Sequence, residues 1–82
     1  MDVKILGTGC AKCVLLYEET GKAIRRLGLA ATLTKVEKIS EIAAFKVLRT
    51  PALVINGVVK AAGRMPSTTE LTTWLTTAAA SK

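Results

Sequence analysis

The stretch Gly7–Cys13, with the sequence GTGCAKC, decides how this chain of 82 residues folds. It is a glycine-bearing turn that ends in two cysteines separated by two residues, and the chain has no other cysteine and no histidine. In the preceding segment Met1–Leu6, apolar Val3 and Ile5 alternate with charged residues, which predicts a β-strand. We therefore expect the turn to leave a strand end and to begin a helix at or near Cys10.

A cysteine in the first turn of a helix has an unusually acidic thiol. The backbone N–H groups there lack partners within the helix, and they form the positive end of the helix dipole. Because both features stabilise a thiolate, we expect the pKa of Cys10 to fall below the free-thiol value of about 8.5. The cation of Lys12 acts in the same direction.

Cys13 lies three residues later, about one helical turn inward on the same face as Cys10. This spacing allows Cys13 to close a disulfide on Cys10 and to release whatever Cys10 has attacked. The pair is therefore typical of dithiol–disulfide exchange, with Cys10 as the attacking thiol and Cys13 as the resolving thiol. Two closely spaced cysteines also suit a reducing compartment, so we expect a cytoplasmic protein.

Length and composition restrict the possible classes of protein. We expect one small domain over residues 1–82, since half of the residues are hydrophobic and there is no room for a second core. No apolar run approaches the roughly 20 residues of a membrane span, and the N-terminus shows no secretory signal. The net charge of +6 comes from scattered lysines and arginines, and there are only three aromatic side chains. We therefore do not expect nucleic-acid binding; solvation explains the charges most simply, followed by attraction of acidic protein partners.

Three further elements follow from spacing. Apolar residues at helical intervals predict a helix over Ala11–Leu27, ended by Gly28. The alternating, threonine-rich segment Leu29–Val36 predicts a strand parallel to the first, joined to it by a right-handed crossover. The segment Ser40–Leu48 predicts a short second helix with Ser40 as its N-cap.

The next segments predict a β-hairpin. Thr50–Pro51 ends the second helix, and the wholly apolar segment Ala52–Ile55 predicts a buried strand. Asn56–Gly57 follows directly and is the strongest local signal for a type I′ turn. We therefore expect Val58–Val59 to form an antiparallel strand beside Ala52–Ile55.

The chain closes with a third predicted helix. Ser67–Glu70 has the pattern of a capping box, and an apolar face follows at Leu71, Trp74 and Leu75. Many threonines give this segment a poor helix propensity, so packing of that face must stabilise it. We expect Ala79–Lys82 to fray.

This order of elements, with Cys-x-x-Cys after the first strand and Thr-Pro before the third, resembles the thioredoxin fold. More narrowly, the chain is similar to the small thioredoxin-like or glutaredoxin-like redox-active disulfide proteins of archaea and bacteria. The resemblance rests on Gly7–Cys13, Thr50–Gly57 and Gly63–Arg64, and it covers essentially the whole chain. It implies an α/β minimal thioredoxin fold, β-α-β-α-β-β-α, with a four-stranded mixed sheet and helices on both faces.

The resemblance also implies an activity, that of a thiol–disulfide oxidoreductase. In it Cys10 is the nucleophile, Cys13 resolves, and Pro51 is a cis-proline whose loop lies against the disulfide and turns the Thr50 backbone towards the sulfurs. Lys12, between the cysteines, completes the set of site residues. The implied partners are disulfide-containing proteins and a reductant, either a thioredoxin-reductase-like protein or a low-molecular-weight thiol. We expect a monomer with no bound cofactor and no metal.

The chain departs from the larger thioredoxins at three points. The usual tryptophan before the first cysteine is Gly9, the usual Gly-Pro between the cysteines is Ala11–Lys12, and the sequence offers no candidate for a buried acid beside the resolving thiol. These departures leave open how efficiently the chain reduces protein disulfides.

Two other functions use the same cysteine pair. Gly-x-x-Cys-x-x-Cys after a first strand also resembles the heavy-metal-associated domains that carry copper(I), an ion that soft thiolates select. A closed zinc site needs four ligands, which a monomer of this chain lacks. The copper carriers form a hairpin directly after their first helix, whereas Glu37–Leu48 here predicts a helix. The third alternative is a thioredoxin-like adaptor in which the pair senses redox state without turnover.

Overall fold

The computed structural model describes residues 1–80, and its elements follow the expected order of strands and helices. They are β1 (Asp2–Leu6), α1 (Ala11–Leu27), β2 (Thr32–Val36), α2 (Ile39–Ala44), β3 (Ala52–Ile55), β4 (Val58–Ala62) and α3 (Thr68–Ala80).

The strands form one four-stranded mixed sheet in the order β2-β1-β3-β4. β1 runs parallel to β2 and antiparallel to β3, and β3 and β4 form an antiparallel pair. Asn56 and Gly57 connect β3 to β4 with φ values of 49° and 80°, so both have the positive φ that a type I′ turn requires. The predicted hairpin and the predicted parallel crossover are both confirmed.

Helices cover both faces of the sheet, as the family resemblance implies. On one face, α1 and α3 pack against β1 and β3; the buried residues of this layer are Val3, Ile5, Leu16, Ala23, Ile24, Leu53, Ile55, Leu71 and Leu75. On the other face, Ile42 of α2 packs with Leu6, Val36, Ala52 and Val54. Every residue of β3 is buried, because β3 lies between two strands and beneath helices on both sides.

β2 begins at Thr32 and not at Leu29 as predicted. Gly28 ends α1 with a φ of 65°, and the amide of Leu29 still donates to the carbonyl of Ile24 at 3.1 Å. Leu29 therefore belongs to the end of the helix. The register pairs Asp2 with Thr32, so the residues before Thr32 have no strand partner on β1.

α2 is shorter than the predicted helix over Ser40–Leu48. Lys38 is its N-cap and makes no side-chain capping bond, so the prediction of a Ser40 cap is wrong. The helix ends at Ala44 with Phe45 as its C-cap, and Lys46 then takes a φ of 59°, in the left-handed region that cannot continue a helix. Leu48, the last residue of the predicted helix, lies beyond α2 and is 99% exposed.

α3 begins with the predicted capping box. The amide of Glu70 donates to the Ser67 hydroxyl at 3.1 Å, and the amide of Ser67 donates to the Glu70 carboxylate at 3.0 Å. The helix continues to Ala80, so Ala79 and Ala80 are helical and not frayed, while the last two residues lie outside the described range. Within residues 1–80 no helix is both long and apolar enough to cross a membrane.

Candidate active site

Cys10 is the N-cap residue of α1, at the exposed start of the helix. Its backbone is extended, with φ −65° and ψ 163°, and the chain becomes helical at the next residue. The amide of Cys13 donates a hydrogen bond to the sulfur of Cys10 at 3.2 Å. This is the position a Ser or Asp side chain usually takes when it caps a helix, so the sulfur of Cys10 receives an amide that otherwise has no helical partner.

Cys10 and Cys13 are joined by a disulfide. Their Cα atoms are 5.0 Å apart, within the usual range of about 4.4–6.8 Å for bridged cysteines. The two residues differ in accessibility, because Cys10 is exposed whereas Cys13 is only 5% exposed. A substrate approaching from solvent therefore meets the sulfur of Cys10 first.

Gly7, directly after β1, packs against the disulfide. A Cβ atom on Gly7 would collide with the sulfur of Cys13 and would lie 3.0 Å from the Cβ of Cys13 and 3.8 Å from the Cβ of Thr50. A glycine is needed here because no side chain fits between the strand end and the helix. The sequence predicted a glycine-bearing turn but not the close approach of Gly7 to Cys13. The feature that could have indicated this approach is a glycine directly at a strand end.

The Thr50–Pro51 loop also lies next to Gly7. Its peptide bond is cis, as the family resemblance implies. Pro51 is buried, and its carbonyl accepts the amide of Gly63 at 2.9 Å, which joins the loop to the end of β4. The structure thus brings Thr50 close to Gly7 and Cys13, although Thr50 lies about 40 residues from the cysteines in the sequence.

Lys12 is the remaining site residue suggested by the sequence, and it lies exposed between the two cysteines. Within residues 1–80 its ammonium group makes no hydrogen bond or ion pair.

A small pocket of about 30 Å³ lies beside Cys13, and its polar side chains are Lys35 and Glu37. A carboxylate oxygen of Glu37 is 3.6 Å from the position that a Cβ on Gly9 would occupy. The volume suffices for at least one water molecule, which needs roughly 10–15 Å³. Glu37 was not among the site residues predicted from the sequence. The feature that could have identified it is its position directly after β2.

The parallel pairing of β1 and β2 explains why Glu37 lies near the cysteines. The register pairs Leu6 with Val36, and the amide of Gly7 donates to the carbonyl of Val36 at 2.9 Å. Because the ends of parallel strands meet at one edge of a sheet, the residue after Val36 lies beside the turn that carries the cysteines.

Within the described part of the chain, no three or more His, Cys, Asp and Glu side chains form a group that could hold a metal ion. The order of elements also differs from that of the copper carriers, because α2 separates β2 from the hairpin β3-β4.

Comparison with known proteins identifies relatives over most of the chain. A family model described as a thioredoxin domain matches residues 1–76. A thioredoxin of Methanocaldococcus jannaschii is 39% identical over 84% of this chain and 79% of its own length. A thioredoxin of Methanothermobacter thermautotrophicus is 32% identical over 87% of this chain and 92% of its own length. The fold is a mixed sheet with helices on both faces, and a cysteine pair lies at the start of α1. Together with these relatives, the fold and the cysteine pair show that the chain belongs to the thioredoxin-like family of thiol–disulfide oxidoreductases.

Proposed function

We propose that this protein reduces or exchanges disulfides of protein or small-thiol partners through Cys10 and Cys13. The observation that carries the proposal is the asymmetry of the pair: an exposed sulfur that accepts a helix amide, next to a buried sulfur within bonding reach. The same amide that donates to Cys10 in the oxidised protein is available to its thiolate after reduction, which favours ionisation of Cys10.

The proposed reaction has two steps. The Cys10 thiolate attacks one sulfur of a substrate disulfide, which forms a mixed disulfide and releases the other substrate sulfur as a thiolate. Cys13 then loses its proton and attacks the sulfur of Cys10, which releases the second substrate thiol and leaves the Cys10–Cys13 disulfide. The substrate gains two electrons, and a reductant must return two electrons to the pair.

The Thr50–Pro51 loop and Lys12 complete the proposed site. Thr50 lies beside Gly7 and Cys13, and we expect its backbone to pair with a substrate chain bound at Cys10. Lys12 supplies a positive charge that stabilises the attacking thiolate. All of these groups come from a single chain, so the reaction requires no second copy.

The proposed partners are disulfide-containing proteins and a reductant that is either a reductase or a low-molecular-weight thiol. A reducing compartment such as the cytoplasm suits this role, because free dithiols persist there. Copper(I) carriage is the weaker alternative, since the order of elements departs from that of the carriers and the Cys13 sulfur is buried.

Trapping of the mixed disulfide tests the order of the two steps. With a disulfide-bonded peptide, we expect Cys13→Ser to accumulate a covalent adduct at Cys10, because the second step is blocked. Cys10→Ser should lose turnover with dithiothreitol as reductant by about 100-fold or more, in line with losses of an attacking group. Retained turnover in Cys10→Ser, or an adduct on Cys13, would overturn the proposal. Adduct formation without turnover in the unmodified protein would instead indicate the sensing adaptor.

A further inference from the structure

A groove of about 370 Å³ lies next to the Thr50–Pro51 loop, between the segment after α2 and the edge strand β4. Its lining residues are Phe45, Lys46, Val47, Leu48, Arg49, Val59 and Ala62. Two connections join it to the site: Arg49 directly precedes Thr50, and Ala62 directly precedes Gly63, whose amide bonds to the Pro51 carbonyl. The groove therefore borders the loop whose Thr50 lies beside Gly7 and Cys13.

The groove combines an apolar floor with an exposed leucine. Phe45 and Val47 are half-buried against the layer around α2, and Val59 is exposed on the edge strand. Leu48 is 99% exposed, an unusual state for a large apolar side chain. Single exposed apolar residues are common, but this one stands at the rim of an apolar groove.

The charges of the groove are all positive. Lys46 and Arg49 are its charged residues, and none of its lining residues is acidic. Neither side chain forms an ion pair or hydrogen bond within residues 1–80, whereas nearby Arg64 is bound by Glu70. Two unpaired cations beside apolar side chains are complementary to a segment that carries acidic and apolar residues.

Arg49 is held in place by Gly63. Gly63 has a φ of 76°, and a Cβ there would lie 2.8 Å from the Cβ and 3.0 Å from the Cδ of Arg49. The stem of Arg49 therefore lies directly over the Gly63 backbone. This packing places the first carbons of the Arg49 side chain beside Gly63, whose amide bonds to the Pro51 carbonyl.

We infer that this groove binds the segment flanking the reactive cysteine of a substrate protein and selects segments with an acidic residue next to an apolar one. The inference rests on the proposed function, because it takes the occupant to be a disulfide substrate. Arg49 pairs with the acidic side chain, Lys46 adds attraction, and Phe45, Val47 and Val59 cover the apolar side chain.

The test uses two disulfide-bonded peptides that differ only in the flanking residues, Glu-Leu in one and Gln-Leu in the other. We expect the unmodified protein to reduce the acidic peptide with a kcat/KM about 10-fold higher, as for one hydrogen-bonded charge pair. Arg49→Gln should bring this ratio close to one. Arg25→Gln, which removes the same charge at the far end of α1, should keep it. A ratio near one in the unmodified protein, or an equal loss in both variants, would overturn the inference.

A binding measurement separates the groove from the chemistry. Analogues of both peptides with serine in place of cysteine report on the groove alone, by fluorescence anisotropy of a labelled peptide. Preference for the acidic analogue without turnover of either disulfide peptide would support the groove and refute the proposed function. Equal affinity for the two analogues, whatever the turnover, would refute the groove.

Discussion

Cys10 and Cys13 stand in the same helical turn, and their surroundings make them unequal. Cys10 is exposed and accepts an amide hydrogen bond, while Cys13 is buried against Gly7. The sequence predicted the pair and its spacing because both lie within one turn of a helix. It could not predict the close approach of Gly7 to Cys13 or the place of Glu37 in the adjoining pocket, since both depend on how the strands and α1 are brought together.

Gly7→Ala tests the close approach at the strand end. We expect the oxidised protein to lose about 1–3 kcal/mol of stability, because the new Cβ overpacks the space against Cys13. Urea unfolding of the oxidised protein measures this loss. Gly21→Ala is the control, since its Cβ would make ordinary contacts of 3.4 and 3.5 Å and helix propensity favours alanine. Unfolding of Gly7→Ala at the same urea concentration as the unmodified protein would contradict the packing argument.

Glu37→Gln tests the pocket beside Cys13. The buried thiol of Cys13 must lose its proton before it attacks, and the pocket beside it has room for a water molecule and is lined by Glu37, whose carboxylate can accept a proton. We expect release of a peptide from a preformed Cys10 mixed disulfide to slow severalfold and to change its pH profile. Glu18→Gln, on the exposed face of α1, serves as the charge-matched control. An unchanged release rate would exclude Glu37 from the proton path.

Among the helices and strands, those marked by local sequence signals were predicted best. α1, the hairpin and the start of α3 were predicted because a glycine C-cap, an Asn-Gly turn and a capping box are each complete within a few residues. β2 and α2 were predicted too long. Their ends depend on other elements: β2 begins where β1 supplies a partner, and α2 ends where Lys46 turns the chain towards β3.

The start of α3 gives a pH-dependent prediction. Two hydrogen bonds from the Arg64 guanidinium, at 2.9 and 2.7 Å, and one from the Ser67 amide lower the pKa of Glu70 from 4.5 to about 2. Since the folded-state value is the lower one, the stabilisation is present above pH 4.5 and is lost as the pH falls towards 2.

NMR titration of the Glu70 side-chain carboxyl measures this pKa directly. Arg64→Gln should raise the titration midpoint towards the ordinary value but not fully, because the Ser67 amide remains. Arg25→Gln removes the same charge elsewhere and should leave the midpoint unchanged. A Glu70 midpoint near 4.5 in the unmodified protein would contradict the hydrogen-bonded arrangement.

At the scale of the molecule, the topology assembles one site from four separate segments. The ends of β1 and β2, the start of α1 and the loop before β3 meet at one edge of the sheet. The family resemblance predicted this meeting for the cysteines and the Thr50–Pro51 loop. The basic groove beside the loop was not predicted, because the net charge of +6 does not tell where unpaired cations lie.

The proposed mechanism predicts that the reduced protein has one readily ionised sulfur, that of Cys10 at the start of α1. Alkylation with iodoacetamide across a pH series tests this prediction when each labelled cysteine is identified by mass spectrometry. We expect Cys10 to react first, with a midpoint clearly below the free-thiol pKa of about 8.5, while Cys13 remains unlabelled. A Cys10 midpoint at about 8.5 or above, or labelling of Cys13 before Cys10, would contradict the account.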